Sequence, residues 1–311
     1  MASRLRRTLT WAVAALVVLL AWRASARFPW HDMYATLLRA DATSLAWATV
    51  INLMTLGAKG WAWHLLLRPV APHRWRLAQE ANLVGAAVNS LSVAVIGEAA
   101  RVRFLRSSDD VPLSAGVASV VWTRAVEGIG LALFILGGGL LLDLPPILRD
   151  LEIGAAVLLA GLVGMAWFRG WRELPRWVPG PLRRAGEAFG QIGSWRRLAA
   201  PVALALANWA GQWATYHLTL VGAGIPVSLA ASFTALLASN VGGLLRLTPA
   251  NVGITQASIA VALVPFGVQP AQAIAASVIL QALQVLPVLG LAVTMVGWKG
   301  LRQLGAEGSE R

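Results

Sequence analysis

Residues 113–142 read LSAGVASVVWTRAVEGIGLALFILGGGLLL. This run of 30 residues, with one arginine and one glutamate, exceeds the roughly 20 apolar residues that cross a bilayer's hydrocarbon core. It predicts a transmembrane helix. Arg124 and Glu127 lie about one third of the way along it, three residues apart on one helix face. A charge at mid-helix costs roughly 2.5–3.5 kcal/mol on insertion scales, more than a surface ion pair returns, so the pair points to a polar cavity or to mutual neutralisation.

Working outward, comparable spans fall at 8–22, 42–67, 151–168, 198–222 and 271–298, each bounded by arginine, proline or acidic residues. Trp11, Trp22, Trp167 and Trp298 stand at span ends, where membrane-interface belts place them. Two further apolar regions, 79–106 and 227–266, are interrupted by Gly, Pro, Asn and charged residues and read as helical hairpins with broken centres. The expected fold is an all-α polytopic membrane protein of about six full spans plus two re-entrant hairpins, or eight spans if the hairpins cross. Residues 1–311 form one integral membrane domain in this reading.

Composition excludes a soluble enzyme, because 57% of the residues are apolar and only 13% charged. The absence of cysteine removes disulfides, thiolate metal sites and cysteine nucleophiles. His31, His64, His73 and His217 show no metal-ligand spacing, so neither a metal nor a cofactor is expected. The net charge of +12 would suggest nucleic acid in a soluble protein, but the arginines cluster between apolar spans and read as membrane edges. Nucleic acid is not an expected partner.

The order span, hairpin, span occurs at 42–142 and again at 198–298. With both hairpins re-entrant, the copies enter from opposite faces, which makes an inverted repeat. Fixed-offset matches are few: Asn52 with Asn208 and Gly97 with Gly253. This topology puts 19 of the 26 Lys and Arg inside, with only Arg23, Arg27, Arg39 and Arg149 outside. Lys59, Arg124 and Arg246 stay within apolar segments. The asymmetry places both termini in the cytoplasm and the chain in the cytoplasmic (inner) membrane. Near the amino terminus, Ala24-Ser25-Ala26 after the first apolar run resembles a signal-peptide cleavage site, but Arg23 beside it favours an uncleaved first helix. Segment 169–197 interleaves seven arginines, Arg183 and Arg184 among them, with Trp171, Trp177, Phe189 and Trp195. It reads as a positive-inside loop on anionic headgroups.

Broken backbone at membrane depth is tolerated only where protein or a wet cavity satisfies it, so the two hairpins are the best pointers to a site. In the first, Asn89 and Gly97 mark the break, and Glu98 and Arg101 lie one turn apart if a helix restarts near Gly97. In the second, Pro249 and Gly253 mark the break, with Asn240 and Arg246 before it, Asn251 within it and Gln256 after it. Backbone amides at a helix restart near Gly253 would suit a phosphate or carboxylate.

Taken together, Gly97-Glu98-x-x-Arg101, Arg124-x-x-Glu127 and Pro249-Ala250-Asn251-Val252-Gly253-x-x-Gln256 resemble the integral-membrane region of the lysylphosphatidylglycerol synthase/flippase family, over most of 42–298. Val93 and Val95 stand where that family usually has a proline and a basic residue, and Gln256 where it has an acid. The resemblance implies translocation of aminoacylated phospholipids, or a role in hopanoid or lipid-linked sugar pathways. Aminoacylation in the family belongs to a separate soluble domain. The sequence ends thirteen residues after Trp298, so that synthesis is not expected of it.

The resulting expectation is a lipid flippase moving an anionic or modified (aminoacylated, hopanoid or isoprenoid-linked) lipid. Arg101, Arg124 and Arg246 would attract the headgroup, Asn251 and Gln256 would complete its polar shell, and Glu98 and Glu127 would hold the arginines when the site is empty. The expected partner is a membrane phospholipid or lipid-linked substrate, with no catalytic residue assigned. The alternatives are a transporter of a small polar solute, a membrane transferase acting on a lipid-linked sugar, and a non-catalytic partner of a lipid-modifying enzyme. A transferase would need a positioned base or metal-binding carboxylates, and the sequence offers no close acidic pair at membrane depth.

Overall fold

The computed structural model describes residues 30–92, 96–109, 111–144, 146–167, 195–244 and 248–309. The expected span 8–22, most of the basic loop 169–197, Val93, Val95 and Arg246 lie outside the described residues. The described residues form ten α-helices and no strand. In chain order they are α1 (Trp30–Arg39), α2 (Ala42–Leu67), α3 (Trp75–Leu91), α4 (Ile96–Asp109), α5 (Leu113–Leu141), α6 (Arg149–Trp167), α7 (Trp195–Gly222), α8 (Leu229–Gly243), α9 (Ile254–Leu263) and α10 (Pro270–Ser309).

The order long helix, two short helices, long helix thus occurs twice, in α2 to α5 and in α7 to α10. Helices α5 and α10 contain segments long and apolar enough to cross a membrane by length and composition, Leu113–Leu141 and Pro270–Met295. Helix α1 lies in a segment where the sequence alone indicated no element.

Local chemistry sets the helix ends. Asp41 caps α2 by accepting from the amides of Thr43 and Ser44 at 3.2 and 2.9 Å, while its own amide donates to the Gly222 carbonyl at 2.8 Å. The start of α2 is thereby tied to the end of α7. Pro112 precedes α5 at its N-cap, and the Ser228 hydroxyl caps α8 by accepting from the Ala231 amide at 3.1 Å.

Helices α2 and α7 make the most extensive helix pair, through small and polar residues rather than bulky ones. Ala48, Asn52 and Thr55 of α2 are buried, as are Asn208 and Thr215 of α7. Gly211 permits this approach, since a Cβ there would sit 2.5 Å from Thr55 Cγ2. Inside α10, Pro287 has no amide hydrogen to offer the Leu283 carbonyl one turn back. Asn52 of α2 takes up that freed acceptor through Nδ2 at 3.4 Å, pinning α10 to α2.

The largest apolar core joins α5, α7, α8, α9 and α10 around Phe134, Phe233 and Trp213, with Phe134 and Phe233 stacked at 4.9 Å. A second core packs Trp63 and Leu67 of α2 against Leu77, Ala78 and Ala81 of α3 and Leu105 of α4. Ala87 of α3 meets Val288 and Ala292 of α10, so the first hairpin also rests on the last helix.

Candidate functional site

The first hairpin folds sharply because its two legs are almost in backbone contact. A Cβ on Gly85 would lie 2.9 Å from the Gly97 carbonyl, and one on Gly97 would strike the Gly85 carbonyl and the Asn89 side chain. Asn89 accepts the Gly97 amide hydrogen at 3.0 Å, satisfying one of the orphan donors where α4 restarts. Asn89 and Gly97 therefore build the hairpin, and they bring Glu98 to the first turn of α4 beside α5.

Glu98 joins the two charge pairs that sequence spacing suggests separately. Its Oε2 sits 2.7 Å from Arg101 Nε, an ion pair whose angle falls short of a hydrogen bond, and its Oε1 pairs with Arg124 Nη2. Arg124 Nη1 donates to Glu127 Oε2 at 2.9 Å, and Lys59 of α2 approaches Glu127 Oε1 at 3.7 Å. Three cations and two carboxylates form one network, in which each carboxylate touches two cations.

Burial separates the members. The Arg101 side chain is 7% exposed and lies over the Trp63 ring at 4.5 Å, whereas Arg124 is 47% and Lys59 40% exposed. The carboxylates stand behind, at 16% for Glu98 and 20% for Glu127. Arg101 is a buried packing cation, while Arg124 and Lys59 present their charge outward.

Arg124 and Glu127 form one wall of a cavity of about 540 Å³, within the size range of small-molecule sites. The rest of the polar lining comes from α7, α8, the second break and α10, through residues that include Gln212, Asn240, Asn251, Gln281 and Gln284. Trp209 closes one side, its indole fixed by a 3.1 Å hydrogen bond to the Glu127 carbonyl.

The second break is built differently from the first. Ala250 and Asn251 adopt φ of 52° and 56°, and Gly253, after Val252, reaches 86°, positive values that bend the chain before α9. The Pro249–Asn251 turn also packs against α3, so the two hairpins meet. Gln256 lies behind the cavity wall. Its Oε1 accepts the Gly253 amide at 2.6 Å, and its Nε2 donates to Gln281 Oε1 at 2.5 Å. The Gly253 amide is therefore engaged within the chain, and Gln256 bears on the cavity through Gln281. Gln281 in turn donates to the Ala250 carbonyl at 2.5 Å.

Of the residues singled out from sequence, Arg124, Glu127, Asn240 and Asn251 line the cavity. Glu98 and Arg101 adjoin it through the ion network, and Gln256 sits one residue behind. Lys59, Gln212, Tyr216, Gln281 and Gln284 belong to the site and were not assigned to it from sequence. The available signal was the expense of amides inside apolar runs, with Gln281 and Gln284 at i, i+3 on one face.

An all-helical bundle that keeps an ion network and an amide-lined cavity among apolar helices is the architecture of a helical membrane protein. The chain belongs to the family described as the lysylphosphatidylglycerol synthase TM region, whose family model matches residues 10–292. No curated protein matches the chain in sequence.

Proposed function

We propose that this chain translocates a lipid with an anionic headgroup across the cytoplasmic membrane, binding the headgroup in the cavity while the acyl chains stay in the bilayer. The observation that carries the reading is Arg124. It is half exposed on the cavity wall, and two carboxylates hold it in place without burying it. A phosphate-bearing headgroup can share such a cation without stripping a buried charge of its partners.

In this proposal the chain is one integral membrane domain, with inverted repeats at 42–142 and 198–298 and both termini cytoplasmic. The short helices support re-entry. At 1.5 Å per residue, the 17 and 14 residues of α3 and α4 extend roughly 26 and 21 Å, and the 15 and 10 of α8 and α9 roughly 22 and 15 Å. Each leg is shorter than the roughly 30 Å hydrocarbon core, and each pair turns back at a break. Rocking one repeat against the other would expose the cavity to either face in turn. The chain acts as a transporter and assigns no residue to bond chemistry.

The test is purified protein in liposomes carrying a fluorescent phospholipid, with an impermeant reductant bleaching the outer leaflet. Protein-dependent loss of the protected inner-leaflet signal, without release of any headgroup product, is the expected outcome. Headgroup release would instead favour transferase chemistry.

A further inference from the structure

The cavity is chemically two-sided, and the sides call for different parts of a headgroup. One wall has Arg124 with Glu127, and Lys59 adjoins that carboxylate. Because Glu127 already faces two cations, this wall has a surplus of positive charge and suits a phosphodiester. The rest of the polar lining is uncharged, with side-chain amides prominent beside the hydroxyls of Tyr216, Ser239 and Thr255.

Those amides are held in place yet not saturated. A carboxamide has two N–H donors and two acceptor lone pairs. Gln284 Nε2 spends one donor on Gln212 Oε1 at 3.1 Å, and Gln212 Nε2 donates to Thr55 Oγ1 at 2.9 Å. Asn240 Nδ2 gives one hydrogen to the Leu236 carbonyl at 2.8 Å, and Asn251 Nδ2 makes a long contact of 3.4 Å with the Gly243 carbonyl. Gln212 Nε2 also contacts Asn52 Oδ1 at 3.5 Å, so that amide keeps acceptor capacity only, and Gln284 also bonds the Tyr216 hydroxyl. Asn240 and Asn251 are each oriented by one contact and keep capacity of both signs.

Mixed donor and acceptor capacity is the complement of hydroxyl groups, which also do both. An ammonium only donates, and burying it calls for a counter-charge. Among the described residues lining this cavity, Glu127 is the only carboxylate, and Lys59 and Arg124 already engage it. Gln256, next to Gln281, adds no charge.

We infer that the preferred headgroup is a phosphodiester carrying an uncharged polyhydroxylated group, a sugar or cyclitol, and that headgroups bearing a free ammonium are disfavoured. This rests on reading the cavity as the headgroup site. The phosphate would meet Arg124, and the hydroxyls would meet Gln212, Asn240, Asn251 and Gln284, with Trp209 offering a flat apolar face to the ring.

Lipid binding to the full chain in detergent tests the inference, with bound lipid counted by native mass spectrometry. The probes are phosphatidylinositol, phosphatidylethanol as an anionic control without hydroxyls, and lysyl-phosphatidylglycerol. Phosphatidylinositol should half-saturate at least tenfold below phosphatidylethanol, and lysyl-phosphatidylglycerol should bind weakest. The nearly isosteric Gln284→Glu variant supplies an unshared carboxylate and should shift the preference toward lysyl-phosphatidylglycerol by a similar factor. Equal binding of the first two lipids, tightest binding of lysyl-phosphatidylglycerol by the wild type, or an unshifted Gln284→Glu variant would each overturn the inference. Selective binding without transbilayer movement would contradict translocation and leave this inference standing, and movement without selectivity would do the reverse.

Discussion

Replacing Glu98 by Gln should cost far more stability than replacing Arg124 by Gln, although the two side chains touch. Glu98 is the ion-pair partner of Arg101, whose guanidinium is almost fully buried against Trp63 and whose Nη2 has no hydrogen-bond partner among the described residues. Removing the carboxylate strands a buried cation, a change that costs about 3–5 kcal/mol in comparable buried pairs. Arg124 is half exposed, and its loss strands nothing, because Glu98 keeps Arg101 and Glu127 keeps Lys59. Its removal should therefore cost about 1 kcal/mol or less, the range of exposed pairs. Reversible unfolding in mixed micelles, followed by tryptophan fluorescence, gives both values. Arg124→Gln should unfold nearly like wild type, and Glu98→Gln should lose several kcal/mol. Equal losses in the two variants would refute the division into one packing arginine and one exposed arginine.

Gly97→Ala should destabilise by about 1–3 kcal/mol, because its Cβ collides with the Gly85 backbone and the Asn89 side chain. Gly137→Ala, with open space around it, should be neutral or stabilising in the same unfolding assay. The Asp41 carboxyl is held below its usual value of 3.8 by hydrogen bonds from the Ser44 hydroxyl, then the Ser44 and Thr43 amides. A depressed folded pKa means that its stabilisation is present above pH 3.8 and fades as pH falls through the folded value. The melting-temperature gap between wild type and Asp41→Ala should thus be widest near pH 6 and close under acid. Topology reporters fused at Gly180 and at the carboxyl terminus should both report cytoplasm, and a signal from the opposite face at either would break the inverted arrangement.

Much of this fold is legible in the sequence because membrane helices announce themselves by length. The segment 42–67 coincides with α2, 113–142 overshoots α5 by one residue, and the hairpin regions resolve into paired short helices. The ion pairs Glu98–Arg101 and Arg124–Glu127 follow from helical spacing alone. Their fusion into one network does not, because it depends on α4 meeting α5 and on Lys59 arriving from α2, contacts between segments 26 or more residues apart. The amide wall was hidden for the same reason. Gln212, Gln281 and Gln284 are isolated polar letters in apolar runs until α7 and α10 are set face to face. Gln256 is different again: its place in the motif suggests ligand contact, and its side chain both caps the first turn of α9 at the Gly253 amide and reaches Gln281 of the cavity wall.

The most direct test of the central claim, that Arg124 binds the headgroup, compares lipid translocation by wild type, Arg124→Gln, Glu127→Leu and the double variant, at equal folded amounts confirmed by size exclusion in detergent. If Arg124 served only to neutralise Glu127, removing both would lift a shared desolvation cost and restore transport. The account predicts that the double variant folds, with Lys59 tolerated because it is 40% exposed, and stays as inactive as Arg124→Gln alone. Transport restored to wild-type rates in the double variant would contradict it.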